Sequence, residues 1–130
     1  MPVRGYTLPP KVVAQVLYEA GWRGPELVQM LAIGKRESGY NVLAHRTPTK
    51  DPTTMDGKGQ SGDFGLFQIN YGHKEGLRSA GIVKHSLYEL LVPVANAKAA
   101  LFLYNKAGFA PWKAGKGGFN AGGDLFLAKP

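Results

Sequence analysis

Two stretches decide how this chain is interpreted. The first is Ala32-Ile33-Gly34-Lys35-Arg36-Glu37-Ser38-Gly39-Tyr40-Asn41, and the second is Gly62-Asp63-Phe64-Gly65-Leu66-Phe67-Gln68-Ile69-Asn70. The first stretch closes an apolar segment with a glutamate, and the second begins close to an aspartate. Leu27, Val28 and Leu31 precede Glu37. Their spacing predicts a helix that carries a carboxyl group near its end.

The position of Glu37 has a chemical consequence. A carboxyl group on a mostly apolar helix is partly desolvated, and near the C-terminus it also feels the negative end of the helix dipole. Both effects disfavour ionisation and predict a raised pKa. A general acid working near neutral pH needs such a group. The alternative is that Glu37 ends the helix on its solvated face, where Lys35 and Arg36 balance its negative charge.

Four motifs follow one another along the chain. They are Glu37-Ser38-Gly39-Tyr40-Asn41, Gly65-Leu66-Phe67-Gln68-Ile69, Leu91-Val92-Pro93-Val94-Ala95-Asn96-Ala97, and Leu103-Tyr104-Asn105-Lys106-Ala107-Gly108 with Pro111-Trp112. In this order they resemble the lysozyme-like superfamily, which includes lysozymes, soluble lytic transglycosylases and lysozyme-like domains of phage tail and lysin proteins. The third motif lacks the family's acidic residue. The resemblance extends from Ala14 to Lys113.

The resemblance implies an α+β fold that is mostly helical, with a small β-hairpin lobe beside an active-site cleft. A length of 130 residues is that of one domain. We therefore expect residues 1–130 to form a single lysozyme-like catalytic domain, with a Gly-rich tail from residue 114 onwards. Within it, Thr7 is expected to cap the first helix, Asp63 to Asn70 to form a strand, and Pro93 to separate two helical segments.

Composition and charge narrow the class of partner. Sixteen basic and nine acidic side chains give a net charge of +7, which favours anionic partners. The basic residues form no run, so a nucleic-acid-binding tail is not expected. The chain has no cysteine, which excludes disulfides and thiolate metal sites. Since animal lysozymes depend on disulfides, the resemblance favours a bacterial or phage branch.

The N-terminal residues lack the basic and apolar segments of a secretory signal, and no apolar run is long enough to span a membrane. We expect synthesis in the host cytoplasm without a signal peptide and action on the bacterial cell wall, in some cases as a virion component. The expected partner is peptidoglycan, with no nucleic acid and no membrane insertion. The expected state is a monomer or part of a phage tail or lysin assembly.

The resemblance also assigns site residues. Glu37 corresponds to the acid that protonates the leaving oxygen. Asp63 stands where animal lysozymes have their second carboxylate, although it follows Glu37 by 26 positions, a longer spacing than theirs. The expected substrate-binding residues are Ser38, Tyr40, Gln68, Asn70 and Tyr104. Neither a metal nor an organic cofactor is implied, and the three histidines are expected to be exposed.

Each site residue also has a purely structural interpretation. Asp63 suits a turn that binds backbone amides, and Ser38 suits the end of a helix. Gln68 could satisfy strand backbone, and Tyr104 could belong to the core. The sequence leaves these alternatives open.

The predicted function is that of a muramidase, which hydrolyses the β-1,4 bond between N-acetylmuramic acid and N-acetylglucosamine in peptidoglycan. The main alternative is a lytic transglycosylase that forms a 1,6-anhydro product on the same fold. It generally lacks the second acid and uses groups of the substrate itself. A non-catalytic wall-binding tail module ranks below both, and a small nucleic-acid binder ranks last.

Overall fold

The computed structural model describes residues 6–46 and 62–112. Its helices are α1 (Pro10–Ala20), α2 (Gly24–Ser38), α3 (Lys74–Ser79) and α4 (Pro93–Ala107), with 3-10 helices at Tyr71–His73, Leu87–Leu91 and Ala110–Trp112. Its strands are β1 (His45–Arg46), β2 (Asp63–Phe64) and β3 (Ile69–Asn70). The described part is therefore mostly helical with a small antiparallel sheet, which confirms the α+β class. The predicted Gly-rich tail lies outside the described residues.

Helix α1 supplies one wall of the core. Val13, Val16, Leu17 and Ala20 are buried along a single face. Pro10 stands at the first helical position, where its missing N–H costs nothing. Pro9 is the N-cap and makes no side-chain cap bond, so the predicted cap at Thr7 is wrong. Thr7 instead pairs with Asn41, because the chain before α1 runs beside the exit of α2.

Helix α4 packs against α1 and closes the core from the other side. Its first helical residue is Pro93, so the predicted division at this proline is confirmed. Trp22, fully buried in the link between α1 and α2, donates its indole N–H to the Ala97 carbonyl at 3.0 Å. This bond joins the α1–α2 pair to the middle of α4.

The three strands form one antiparallel sheet in the order β1-β2-β3. Asp63 pairs with Asn70, and Phe64 pairs with Ile69. The predicted continuous strand from Asp63 to Asn70 is therefore wrong, since the chain reverses between residues 65 and 68. Gly65 has φ +79° and Gln68 has φ +49°, which are turn conformations and not strand ones.

A tight loop before α4 is organised by Glu89. Its carboxylate accepts hydrogen bonds from the backbone N–H groups of Lys84, His85 and Ser86 at 2.8, 2.7 and 2.9 Å. The Ser86 hydroxyl accepts from the N–H of Tyr88, which completes a capping box for the 3-10 helix. These backbone donors lower the pKa of Glu89 below its ordinary value of 4.5.

Glu89→Gln should lower the free energy of unfolding at pH 7 by about 1 kcal/mol, because the charged carboxylate that accepts from these backbone N–H groups is replaced by a neutral amide with a single accepting oxygen. A carboxyl with a depressed folded pKa stabilises the fold above its unfolded pKa. That contribution disappears as the pH falls through the folded value. Urea unfolding is measured from pH 7 down to pH 3. The free energies of unfolding of the variant and the unsubstituted protein should converge at acid pH.

The control for this experiment is Glu19→Gln on the exposed side of α1, which should leave the unfolding midpoint at pH 7 nearly unchanged. A gap between Glu89→Gln and the unsubstituted protein that persists undiminished at acid pH would contradict the ionic contribution of Glu89.

Candidate active site

The residues that follow α2 hold its C-terminus in place. Gly39 adopts φ +63° and donates its N–H to the Lys35 carbonyl. Tyr40, also at positive φ (+67°), donates its N–H to the Ser38 hydroxyl at 3.0 Å and its phenol O–H to the Leu31 carbonyl at 2.8 Å. Burial raises the pKa of the Tyr40 phenol. Ser38 and Tyr40 therefore lock the segment that carries Glu37.

The Glu37 side chain points inward. It is only 9% exposed, and its Oε2 lies 3.7 Å from Nη2 of Arg36. Glu37 follows the buried Ile33 by four positions and the buried Gly34 by three, so it lies on the same helix face as both. The interpretation of Glu37 as a residue on the solvated face is thus excluded by its burial.

The β2–β3 turn packs against that face of α2. A Cβ atom built on Gly34 would lie 2.7 Å from Cε1 of Phe67, so the ring rests directly on the α2 backbone. Only glycine permits this approach. Residues 65–68 and the last turn of α2 are therefore neighbours in space.

Two side chains from the other end of the chain hold this turn. Asn96 of α4 is fully buried and accepts a hydrogen bond from the Phe67 N–H at 2.9 Å. Its amide donates to the carbonyls of Phe64 and Leu90 at 2.7 and 2.9 Å. The buried indole N–H of Trp112 donates to the Phe67 carbonyl at 2.9 Å. Both backbone groups of Phe67 are thereby satisfied by distant side chains.

Gln68 is held in an unusual conformation at the end of the turn. Its φ of +49° lies in the left-handed region that side-chain-bearing residues seldom adopt, and such strain is often found at functional sites. Its amide donates to the carbonyls of Ala44 and Gly65 at 3.2 and 3.0 Å. The amide nitrogen is therefore used structurally.

Asp63 and Asn70 face each other across the hairpin. Asp63 is 8% exposed, and its Oδ1 accepts a hydrogen bond from the Asn70 amide at 2.9 Å. The same amide donates to the Gly62 carbonyl at 3.3 Å, while the Asn70 side-chain oxygen accepts from the Gly72 N–H at 2.9 Å. The Asp63 carboxylate is thus oriented by an amide side chain that two further hydrogen bonds, to Gly62 and Gly72, hold in place.

A cavity of about 220 Å³ opens beside this pair. Its lining residues are Asp63, Gln68, Ile69, Asn70, His73, Leu103, Pro111 and Trp112. The hairpin and the 3-10 helix after it contribute the polar groups together with Ile69, and the end of α4 with the following 3-10 helix contributes Leu103, Pro111 and Trp112. A few polar groups on an apolar wall are typical of ligand sites.

Three of the seven predicted site residues, Asp63, Gln68 and Asn70, therefore line one cavity. Glu37 does not line it, but lies at the end of α2 against which the β2–β3 turn packs. Tyr104 is half-buried beside Trp22 and Phe109, with ring centroids at 5.3 and 4.7 Å.

Tyr40 was predicted to bind substrate; its side chain is 8% exposed and packs inside the protein. For Ser38, the hydroxyl accepts from the Tyr40 N–H and donates to the Gly34 carbonyl at 3.2 Å. Both residues position the end of α2.

Two residues of this region had no predicted role. Asn96 was recognised only as part of a motif, although a lone polar side chain among Val94, Ala97 and Ala100 is a signal for a buried hydrogen-bond centre. His73 was expected to be exposed, yet it is half-buried in the cavity wall. Burial lowers its pKa, and the positive charge of Lys106 lowers it further.

Within residues 6–46 and 62–112, no three His, Asp or Glu side chains lie close enough together to hold a metal ion. No helix in these ranges is both long and apolar enough to cross a bilayer.

No protein-family model matches this chain, and no curated protein is significantly similar to it.

Proposed function

We propose that this protein is a peptidoglycan-cleaving muramidase of lysozyme-like fold, with Glu37 as the general acid and the β2–β3 hairpin forming part of the glycan site. The observation that carries the proposal is the inward-facing carboxyl of Glu37, 9% exposed, on the face of α2 that packs against the β2–β3 turn.

Three features of the site support an acid role for Glu37. The side chain is only 9% exposed, so little water reaches the carboxyl. It lies in the last turn of α2, a rigid element that sets its direction. Ser38 and Tyr40 fix the backbone around it, so the carboxyl is pre-organised for proton transfer to a glycosidic oxygen.

Asp63 supplies the second carboxylate that hydrolysis uses. Its Oδ1 is oriented by Asn70, and it lines a cavity with an apolar wall on which a sugar ring can pack. In the proposed reaction Glu37 protonates the leaving oxygen. Asp63 then either stabilises the oxocarbenium-like centre or directs a water molecule to it.

A second candidate, the lytic transglycosylase, is favoured by a specific observation. Asp63 is engaged by the Asn70 amide, and Glu37 is not among the residues that line the cavity with it. If the Asp63 carboxylate only shapes the glycan site, the muramic acid forms the anhydro ring with its own C6 hydroxyl. Asp63 is then a positioning residue.

The mass of the released fragments separates the two reactions. Purified peptidoglycan is digested and the soluble glycans are analysed by mass spectrometry, with Glu37→Gln as the blank. We expect fragments that end in a reducing N-acetylmuramic acid, because water enters a hydrolytic reaction. Fragments lighter by one water would replace the hydrolytic proposal with the transglycosylase, and no difference from the blank would reject both.

A further inference from the structure

The carboxyl group of Glu37 lies against the guanidinium of its neighbour in the sequence. Oε2 of Glu37 is 3.7 Å from Nη2 of Arg36, and the two side chains are only 9% and 18% exposed. Successive residues of a helix project in directions about 100° apart and do not ordinarily meet. The contact therefore requires the long Arg36 side chain to bend along the surface of α2 toward Glu37.

Arg36 differs from the other cation in the last turn of α2, which is Lys35. Lys35 is exposed, so water and salt screen its charge, and its attraction to Glu37 is weak. A pair that is largely removed from water keeps more of its attraction, because the effective dielectric constant around it is lower. Of these two cations, Arg36 is the one placed to act strongly on the ionisation of Glu37.

The other described ionisable groups on the elements around the end of α2 are exposed or hydrogen-bonded. Tyr40 donates its phenol O–H to a carbonyl of α2 at 2.8 Å, and Asp63 on the hairpin accepts from the Asn70 amide at 2.9 Å. Residues 65–68, in the turn that packs on α2, carry no ionisable side chain. Exposed ionisable side chains on the segment before α1, on α1 and on β1 are Tyr6, Lys11, Tyr18, Glu19 and His45.

The proposed reaction places a negative charge on the Glu37 carboxyl. As the glycosidic C–O bond breaks, its electron pair moves to the leaving oxygen, and Glu37 passes its proton to that oxygen. The carboxylate that remains lies 3.7 Å from the Arg36 guanidinium. A cation at this distance favours the ionised form of a carboxyl group.

We propose that Arg36 is a positioning residue that acts through Glu37: its guanidinium attracts the ionised carboxylate and thereby sets the pH above which Glu37 no longer holds its proton. The acid role of Glu37 rests on the proposed function, whereas the effect of Arg36 on its ionisation does not. With the charge of Arg36 in place, peptidoglycan cleavage declines at a lower pH than it would without that charge.

The ionisation of Glu37 can be measured by NMR without any glycan. The protein is isotopically labelled at the side-chain carboxyl carbon of glutamate, and the Glu37 resonance is assigned by its absence from Glu37→Gln. Arg36→Gln should raise the titration midpoint of this resonance by about one pH unit, the lower end of the effect that an opposite charge at this distance exerts. Arg36→Met, which keeps part of the apolar stem and removes the charge, should give the same shift.

Two controls separate the charge of Arg36 from its packing. Arg36→Lys keeps a cation at the position and should give a clearly smaller shift than Arg36→Gln. Lys35→Gln removes an exposed charge from the same helical turn and should leave the Glu37 midpoint nearly unchanged. The pH dependence of kcat/KM on peptidoglycan is recorded for the same variants. Its decline at high pH should move upward in Arg36→Gln by the same amount as the NMR midpoint.

The two measurements distinguish the possible failures. An upward shift of the Glu37 midpoint in Arg36→Gln and Arg36→Met, with little change in Lys35→Gln, supports the inference. An unchanged or lowered midpoint in the two neutral variants of Arg36, or an equal shift in Lys35→Gln, overturns it. A shifted midpoint without a shifted kcat/KM profile supports the inference and contradicts the acid role of Glu37, so failure of the proposed function is recognised separately.

Discussion

Replacement of Glu37 by glutamine should reduce peptidoglycan cleavage by a factor of about a hundred to ten thousand, the range that a positioned general acid contributes. Glutamine has nearly the same size and shape as glutamate but cannot donate a proton to a leaving oxygen. Because the substitution preserves volume on a buried face, the effect should fall on kcat and not on the amount of folded protein.

The measurement is the initial rate of fragment release from purified peptidoglycan, with the thermal unfolding midpoint recorded for each variant. The Glu37–Arg36 contact at 3.7 Å is weakened in the variant, and because the two side chains are only 9% and 18% exposed, a lower unfolding midpoint is expected beside the loss of rate. Glu19→Gln, an exposed change of the same kind on α1, should retain the full rate. A Glu37→Gln protein that is folded and still lyses the wall would rule out the proposed mechanism.

Glu37→Asp tests whether the position of the acid matters as well as its presence. The shorter side chain keeps the acid but withdraws it by one methylene from a site whose backbone is fixed by Ser38 and Tyr40. Since misplacement of a catalytic group by about 1 Å is costly, most of the activity should still be lost. An active aspartate variant would mean that the site is less rigid than the α2 exit indicates.

The helices could be predicted from sequence because their determinants are local. Apolar residues at helical spacing indicated α1 and α2, and Pro93 marked the start of α4, since its ring fixes φ and removes a donor. The structure confirms these three features. The position of Glu37 near the end of α2 followed from the same periodicity, whereas the sequence left open whether its side chain is buried.

The hairpin turn could not be predicted because its determinants are distant in sequence. Gly65 and Gln68 adopt turn conformations in a segment that the sequence predicts as one strand. The groups that hold the backbone of Phe67, between them, come from α4 and the 3-10 helix after it. A Cβ atom on Gly65 would lie 2.5 Å from the Leu90 carbonyl oxygen. Sequence periodicity carries no information about such a contact.

His73 illustrates a related limit. Its exposure depends on how the 3-10 helix after β3 meets the end of α4, which is a matter of tertiary packing. A histidine flanked by glycine and lysine reads as a surface residue. Only the packing reveals it as part of a cavity wall.

Asn96→Asp, which exchanges the side-chain nitrogen for an oxygen, should lower the free energy of unfolding at pH 7 by about 4 kcal/mol. The asparagine amide donates to the carbonyls of Phe64 and Leu90. An aspartate of the same shape would turn a charged oxygen toward those two carbonyls, inside a fully buried site. Urea unfolding followed by circular dichroism measures the loss.

The same substitution offers an internal check on its cause. Protonation restores one donor, so the deficit of Asn96→Asp should shrink as the pH falls, whereas that of Asn96→Leu should not, because leucine leaves the same backbone groups without a partner at every pH. Because Asn96 also accepts from the Phe67 N–H, both variants should loosen the turn that packs on α2 beside Glu37. If Asn96→Asp kept the stability of the unsubstituted protein at pH 7, α4 could not be what holds that turn in place.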